Sequence, residues 1–414
     1  MADMSKIMII GAGAGQVPII RAAKRRGLET VVVSPYGPYP GIDEADTLVP
    51  IDIYDKPAVL EAAKREKIDY VISDQSDFAV PTVAYVAENL GLVGNSIATA
   101  EIYSDKGCQR RFCQENGLMV PSAFTVSCED DLLRVPFGFP WVVKPVDSQG
   151  SRGVCRVDNH TEVIDAFRDA MRYTKKETVV VEEFFEGREV VCEGFVIDGV
   201  YHNVAFADRE YFNIPGKFIP SKTIFPSSIS EDAKHNMIQQ DALFARKANA
   251  RFGIIHSEYL VNEYGDFRLV ETALRGGGVY ISSHLIPMST GLDLTELLLD
   301  YLLQGPDSVA SQLAVQRKSV VRSAAYVCFY LESGTVSTVR GLDEIRKNPN
   351  VQIADVDKVV SGFCYQGLKH KGDRLGPFVV AGDTRDELME TVRDIQSKYV
   401  ICMNSLDEDV VVWN

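Results

Sequence analysis

Two glutamates placed opposite each other on a hairpin are the first residues in this chain that can do chemistry. The stretch Gly253 to Gly278 reads GIIHSEYLVNEYGDFRLVETALRGGG. Alternating apolar runs flank the turn-rich segment Asn262 to Asp266, a β-hairpin pattern. A turn centred on Tyr264-Gly265 pairs residue 258 with residue 271. Side chains so paired have Cβ atoms about 5 Å apart, where like charges repel. The strands contain nothing to neutralise Glu258 and Glu271, so replacing either by glutamine should stabilise the free chain by about 0.2–1 kcal/mol. A divalent cation between them turns the liability into a site, and oxygen ligands suit Mg²⁺. Period two puts residue 273 and Arg275 on the same face. Gly276, Gly277 and Gly278 let backbone approach a ligand closely. An ordinary surface hairpin with two solvated glutamates is the competing reading.

Two further segments carry charge where an apolar pattern predicts burial. Lys144 interrupts the strand Trp141 to Val146, and a buried ammonium requires an anionic partner. The loop after it, Asp147 to Gly153, includes Ser148, Gly150, Ser151 and Gly153, small residues whose amides can wrap phosphate oxygens. It lacks the lysine-serine or lysine-threonine ending of a Walker loop. The strand around Val179 to Val181 breaks into Glu182-Glu183-Phe184-Phe185. Backbone there can bond an adenine edge and an aromatic can cover its face, while Glu189 can accept from ribose hydroxyls.

The positioning elements follow from periodicity. Lys6 to Ile10 and Thr30 to Val33 are strands around the loop Gly11-Ala12-Gly13-Ala14-Gly15 and a helix, a βαβ unit. A dinucleotide site is disfavoured, because Gln16 replaces the third glycine and no acid ends the second strand. A single helix carries Asp105 and Lys106 and ends at Gly117. Short strands lie near 123–126, 141–146 and 153–157, with a helix from 162 to 173. Long strands between Glu189 and Ile224 carry Arg209 and Lys222. A helix from about 231 to 251 precedes the hairpin, and Gly305-Pro306 marks a boundary. The remainder is an α+β cap with strands at 325–331 and 378–381 and a helix at 386–399.

Taken in order, these pieces resemble the ATP-grasp superfamily, in its carboxylate-amine ligase and carboxylase-like branch. The match runs from Lys106 through Lys144 and its glycine loop, the hinge Glu182 to Phe185, and Glu258, to Glu271-Thr272-Ala273-Leu274-Arg275. It covers roughly residues 1 to 310. The resemblance implies a Rossmann-like domain over 1–97, an ATP-grasp core over 98–310 with a mobile lid at about 121–185, and a C-terminal α+β cap over 311–414. It implies that Lys106 and Lys144 bind ATP phosphates, with Ser148, Gly150, Ser151 and Gly153 around them. Glu182, Glu183, Phe184 and Phe185 hold adenine, and Glu189 the ribose. Glu258 and Glu271 bind Mg²⁺, with Mn²⁺ the alternative ion. Ala273 departs from the family's asparagine and removes one ligand of a second metal. Arg275 and Lys144 are the catalytic candidates. Arg209, Lys222, Gly276, Gly277 and His284 are candidates for the acceptor pocket.

The activity so implied is activation of a carboxylate by ATP for capture by an amine. Bicarbonate activation, a silent nucleotide-binding protein and a nicotinamide oxidoreductase are the alternatives. The chain has 414 residues and a formal net charge of −15, which disfavours nucleic acid or an anionic membrane as partner. Small-molecule carboxylate and amine substrates are expected instead, with a homodimer as the assembly to consider. Eight cysteines without a CxxC pair, no apolar run of transmembrane length and no signal peptide point to the cytoplasm.

Overall fold

The computed structural model describes residues 4–148, 150–316, 322–404 and 408–413. Strands β1 (Lys6–Ile10), β2 (Glu29–Val33), β3 (Thr47–Val49) and β4 (Tyr70–Ile72) form a sheet of order β3-β2-β1-β4, with every pairing parallel. Both faces are covered, so beyond the partly exposed pair Lys6 and Glu29 at their starts β1 and β2 are buried and mostly aliphatic. Gln16 fills the glycine loop. Its Oε1 accepts from Gly13 N at 3.0 Å and its Nε2 donates to Asp74 O at 2.5 Å. The loop that resembles a dinucleotide fingerprint is thus closed by its own side chain.

The expected single helix around Asp105 is two. Asp105 has extended backbone and caps the helix Lys106–Glu115, its Oδ1 accepting from Cys108 N at 2.7 Å, while Ile97–Ser104 ends just before it. The break aims Lys106 from the first turn of the second helix. Strands β5 (Ala123–Val126), β6 (Trp141–Pro145), β7 (Cys155–Val157) and β8 (Val179–Glu183) form an antiparallel sheet of order β5-β8-β6-β7. The helix His160–Met171 buries Val163, Phe167 and Ala170 against it. This sheet occupies the segment expected to be a lid.

The largest sheet comprises β9 (Arg188–Ile197), β10 (Val200–Tyr211), β11 (Pro220–Phe225), β12 (Phe252–Val261), β13 (Phe267–Ala273), β14 (Ser323–Phe329), β16 (Val351–Ala354) and β18 (Leu375–Gly382), the gaps being β15 (Gly334–Arg340) and β17 (Cys364–Tyr365). Its order is β13-β12-β9-β10-β11-β14-β18-β16. The β11–β14 pairing carries the sheet straight across residue 310, which itself lies within the helix Pro306–Gln316. The C-terminal segment is therefore continuous with the core sheet and adds a small sheet β17-β15-β19, where β19 is Val400–Met403. Among the described residues no helix is long and apolar enough to cross a membrane.

Asp241, on the helix Glu231–Lys247, fixes which way β12 faces. Its buried carboxylate accepts from Ser257 Oγ at 2.9 Å, Tyr259 OH at 2.6 Å and Tyr201 OH at 3.0 Å. With residues 257 and 259 turned toward that helix, the alternation of a strand turns Glu258 to the opposite face. Burial pushes the Asp241 carboxyl up to about 6 although three hydroxyls donate to it. Its ordinary value is near 4, so the folded state holds this proton more tightly than the unfolded chain. The resulting contribution is fully present below about pH 4 and is lost as pH rises through about 6. Denaturant titrations from pH 4 to 7 should show the stability gap between wild type and Asp241→Asn shifting toward Asn by up to about 3 kcal/mol. Parallel pH profiles would remove Asp241 from this role.

Candidate active site

Glu258 and Glu271 do face each other across β12 and β13, in the expected register. The route differs from the one expected. Val261 pairs with Phe267, one residue tighter than a Tyr264-Gly265 centre gives, and a bulge between Glu258 and Tyr259 restores the offset. The two carboxylates are also not left unneutralised. Arg209 Nη1 ion-pairs with Glu258 and, at 2.5 Å, with Glu189, while Lys106 Nζ reaches Glu271 Oε1 at 2.6 Å and Ser148 O at 3.0 Å. Burial opposes ionisation of Glu258, yet Arg209 and His256 hold its carboxyl well below the usual range. Glu189, sharing the same guanidinium, is driven up to about 7 by burial.

Lys106 reaches this place because its helix is stapled to β13. Gln109 Nε2 donates to Thr272 O at 2.7 Å and Gln109 Oε1 accepts from Thr272 N at 3.1 Å. The next turn supplies Arg110, whose Nε bonds Glu182 Oε1 at 2.6 Å. Lys144 Nζ meets the same carboxylate oxygen at 2.7 Å. The anionic partner that a buried Lys144 demands is thus Glu182, and the Glu182 carboxylate is occupied by two cations. Burial lowers the Lys144 ammonium to about 8 against the pull of Glu182.

These groups line two cavities. The first, about 410 Å³, runs from Lys106 and Lys144 past Glu182, Phe184 and Phe185 to Glu189. Arg156 stacks over Phe184 with 4.3 Å to the ring centre, and Arg268 over Phe185 at 4.9 Å. The second, about 370 Å³, is lined by Arg209, Arg275, His256 and Gly278 among others. Ser151, Tyr211, Glu258 and Glu271 belong to both, so the cavities meet at the opposed carboxylates. Gly150 and Gly153 take left-handed φ values of 69° and 70° in the loop beside that junction, and a Cβ at Gly153 would collide with Tyr173 and Pro145. Gln149 of this loop lies outside the described residues.

The remaining expected residues are placed differently. Arg275 gives its fork to Asp77, Nε at 2.7 Å and Nη2 at 2.9 Å, and Nη1 to Gly276 O at 2.9 Å. Its partner is thus neither Glu258 nor Glu271. The Gly276 amide is committed to Asp74 Oδ1 at 2.8 Å, and a Cβ at Gly277 would strike Glu193 and His256. Those two glycines permit close packing of the chain on itself, and Gly278 alone of the three lines the second cavity. Lys222 Nζ pairs with Glu210 Oε2 at 2.8 Å across β10 and β11. His284 lines a separate small cavity with Arg21, Arg25 and Asp293. Residues not singled out from the sequence complete the site. His256 bonds Glu193 through Nδ1 and Glu258 through Nε2 at 3.3 Å, and Lys371 and Arg374 enter the second cavity from the C-terminal segment. Glu193 and His256 are polar breaks in otherwise apolar strands, a readable signal, whereas Asp77 and Lys371 have none.

Two carboxylates fit a hard cation with oxygen preference. Among the described residues no group of three or more His, Cys, Asp or Glu side chains is arranged to hold a metal ion, and Ala273 offers only a methyl group. Glu258 and Glu271 would therefore supply two ligands, with water and phosphate oxygens the rest.

A family model described as the ATP-grasp domain matches residues 137–283. The chain is 22% identical over 402 residues to the formate-dependent phosphoribosylglycinamide formyltransferase of Sulfolobus acidocaldarius, covering 94% of this chain and 95% of that one. It is 26% identical to the alanine–anticapsin ligase of Bacillus subtilis, over 60% of this chain and 57% of the relative. The crystal structure of an L-amino acid ligase from Bacillus licheniformis superposes with a TM-score of 0.81 at 23% identity, covering 97% and 99% of the two chains.

Neutralising Glu258 has the opposite consequence to that expected from the strands alone. Glu258→Gln leaves the buried Arg209 with one carboxylate, so the free protein should lose about 1–3 kcal/mol in denaturant titrations. A gain in stability would revive the repulsion reading. A second expectation concerns Lys144, which loses its proton as pH passes about 8. ATP affinity measured by calorimetry from pH 6.5 to 9.5 should fall above that point, approaching tenfold per unit, and Lys144→Arg should remove the decline. A flat wild-type profile would show that this ammonium does not meet the phosphates.

Proposed function

We propose, for a chain that belongs to the ATP-grasp superfamily, that it is an ATP-dependent ligase joining a carboxylate to an amine. The observation that carries this reading is the meeting of two cavities at Glu258 and Glu271. ATP occupies the first cavity, with adenine against the Glu183 to Phe185 backbone and Phe184, ribose toward Glu189, and phosphates toward Lys106 and Lys144. Mg²⁺ at Glu258 and Glu271 supplies charge neutralisation at the phosphates when bound. The carboxylate substrate enters from the second cavity. Its oxygen attacks the γ-phosphorus, ADP leaves, and an acylphosphate results. The amine nitrogen then attacks the acyl carbon, phosphate departs and the nitrogen loses a proton.

The protein's own part is electrostatic and positional. Lys144 is held by Glu182 facing the first cavity, so its charge is in place before the nucleotide arrives. Lys106 pairs with Glu271 and Arg209 with Glu258 and Glu189, so both cations stand at the junction where phosphate and substrate oxygens would meet. Arg275, clamped by Asp77, places its charge beside Glu271 and Glu258. A boundary near residue 97, a C-terminal segment after about residue 310 that shares the core sheet, a lid over 121–185 and a cytoplasmic setting belong to the same proposal.

Incubation with ATP, Mg²⁺ and pooled carboxylates and amines should release phosphate and ADP only when both pools are complete. No nucleotide turnover with any pool would contradict the assignment. Glu258→Gln and Glu271→Gln should each abolish phosphate release. Arg275→Lys keeps the charge but loses the two-pronged bond to Asp77, and should lower kcat by about 10²-fold with Mg-ATP affinity little changed. Wild-type turnover by that variant would remove Arg275 from the mechanism.

A further inference from the structure

The second cavity holds more positive charge than its acids offset, within a chain of net charge −15. Arg209 is matched by Glu189 and Glu258, and Arg275 by Asp77. Arg374 is engaged by backbone, its Nε on Lys371 O at 2.9 Å and its Nη1 on Pro220 O at 2.8 Å. Two cations are left over. Lys371 opens the turn Lys371–Asp373, is half-buried, and makes no side-chain hydrogen bond or ion pair among the described residues. Arg152, on the loop after β6, lines the same cavity and is likewise unpaired among the described residues. The two segments adjoin, since a Cβ at Gly150 would lie 3.8 Å from Lys371 Cβ.

A half-buried ammonium crowded by like charge is unfavourable unless an anion reaches it. Burial, Arg209 and Arg374 outweigh the attraction of Glu258 and push the Lys371 ammonium down to about 8. Position then separates this anion from the reacting one. Lys371 and Arg152 line the second cavity alone, whereas the junction with the first is made by Ser151, Tyr211, Glu258 and Glu271. An oxygen that attacks the γ-phosphate must lie at that junction. One guanidinium fork and one ammonium match the two oxygens of a single carboxylate.

We infer that the second cavity selects a substrate bearing a carboxylate that does not react, held between Lys371 and Arg152, as on an amino acid or a dicarboxylate. This rests on the ligase reading of the cleft. The test is calorimetric titration of the full chain with a panel of α-amino acids and dicarboxylates. Methyl esters blocking the carboxylate and phosphate monoesters of similar size run alongside. At least one acid should bind, and its ester at least tenfold more weakly. Lys371→Met should weaken the acid by about 10- to 100-fold and leave the ester and Mg-ATP unchanged. Lys371→Arg should restore most of the affinity, and the exposed Arg152→Leu should weaken the acid in the same direction. The inference is overturned if no acid binds, if esters bind as tightly as acids, if phosphate monoesters alone bind, or if neither Lys371→Met nor Arg152→Leu changes acid affinity. Lys371-dependent binding of an acid without ATP turnover on adding any amine would instead overturn the ligase reading and leave the subsite standing.

Discussion

Two carboxylates held opposite each other, each by a different cation, set the conditions for everything around them. Glu258 leans on Arg209 and His256, and Glu271 on Lys106. Repulsion between bare glutamates in this register would work against the pairing of β12 with β13. Cations from two other places in the chain, Arg209 from β10 and Lys106 from a helix start, offset it, and His256 of β12 itself bonds Glu258 beside them. Each glutamate of the junction therefore has a cationic partner without any ligand.

That balance depends on aim, and the aim comes from polar groups that hold the charged side chains in place. Asp241 captures Ser257 and Tyr259 and so turns Glu258 the other way. Gln109 grips the backbone of Thr272 and draws Lys106 alongside Glu271. Glu182 binds Lys144 and Arg110 at once, fixing a strand to a helix beneath the first cavity. Asp77 brings the parallel sheet of the N-terminal segment to the hairpin through Arg275. Each is a buried or part-buried polar contact whose loss would leave a charge or donor unsatisfied.

Local pattern made much of this legible and long-range pairing hid the rest. The parallel strands, the Lys144 strand and the hairpin follow from periodicity, and a buried lysine had to have an acid near it. The opposition of Glu258 and Glu271 was also readable, although a tighter turn and a bulge compensate each other to produce it. Arg275 reads as a fork for a carboxylate, but its carboxylate is Asp77, 198 residues away. Gly276 and Gly277 read as openings for a ligand, and they accommodate Asp74, Glu193 and His256 instead. The C-terminal segment reads as a separate cap because no local signal announces that β14 joins β11. Lys371 is an unremarkable surface lysine in sequence, and only the sheet brings it over the second cavity.

The claim that the opposed glutamates are a metal-dependent junction between nucleotide and acceptor is tested most directly by locating the ion. Crystals of the protein with Mn²⁺ and a non-hydrolysable ATP analogue, with anomalous scattering measured at the manganese edge, should show manganese in direct contact with Glu258 and Glu271. Lys106 and Arg209 should have moved off those carboxylates. Manganese bound elsewhere, or both ion pairs intact beside an occupied nucleotide cavity, would contradict it.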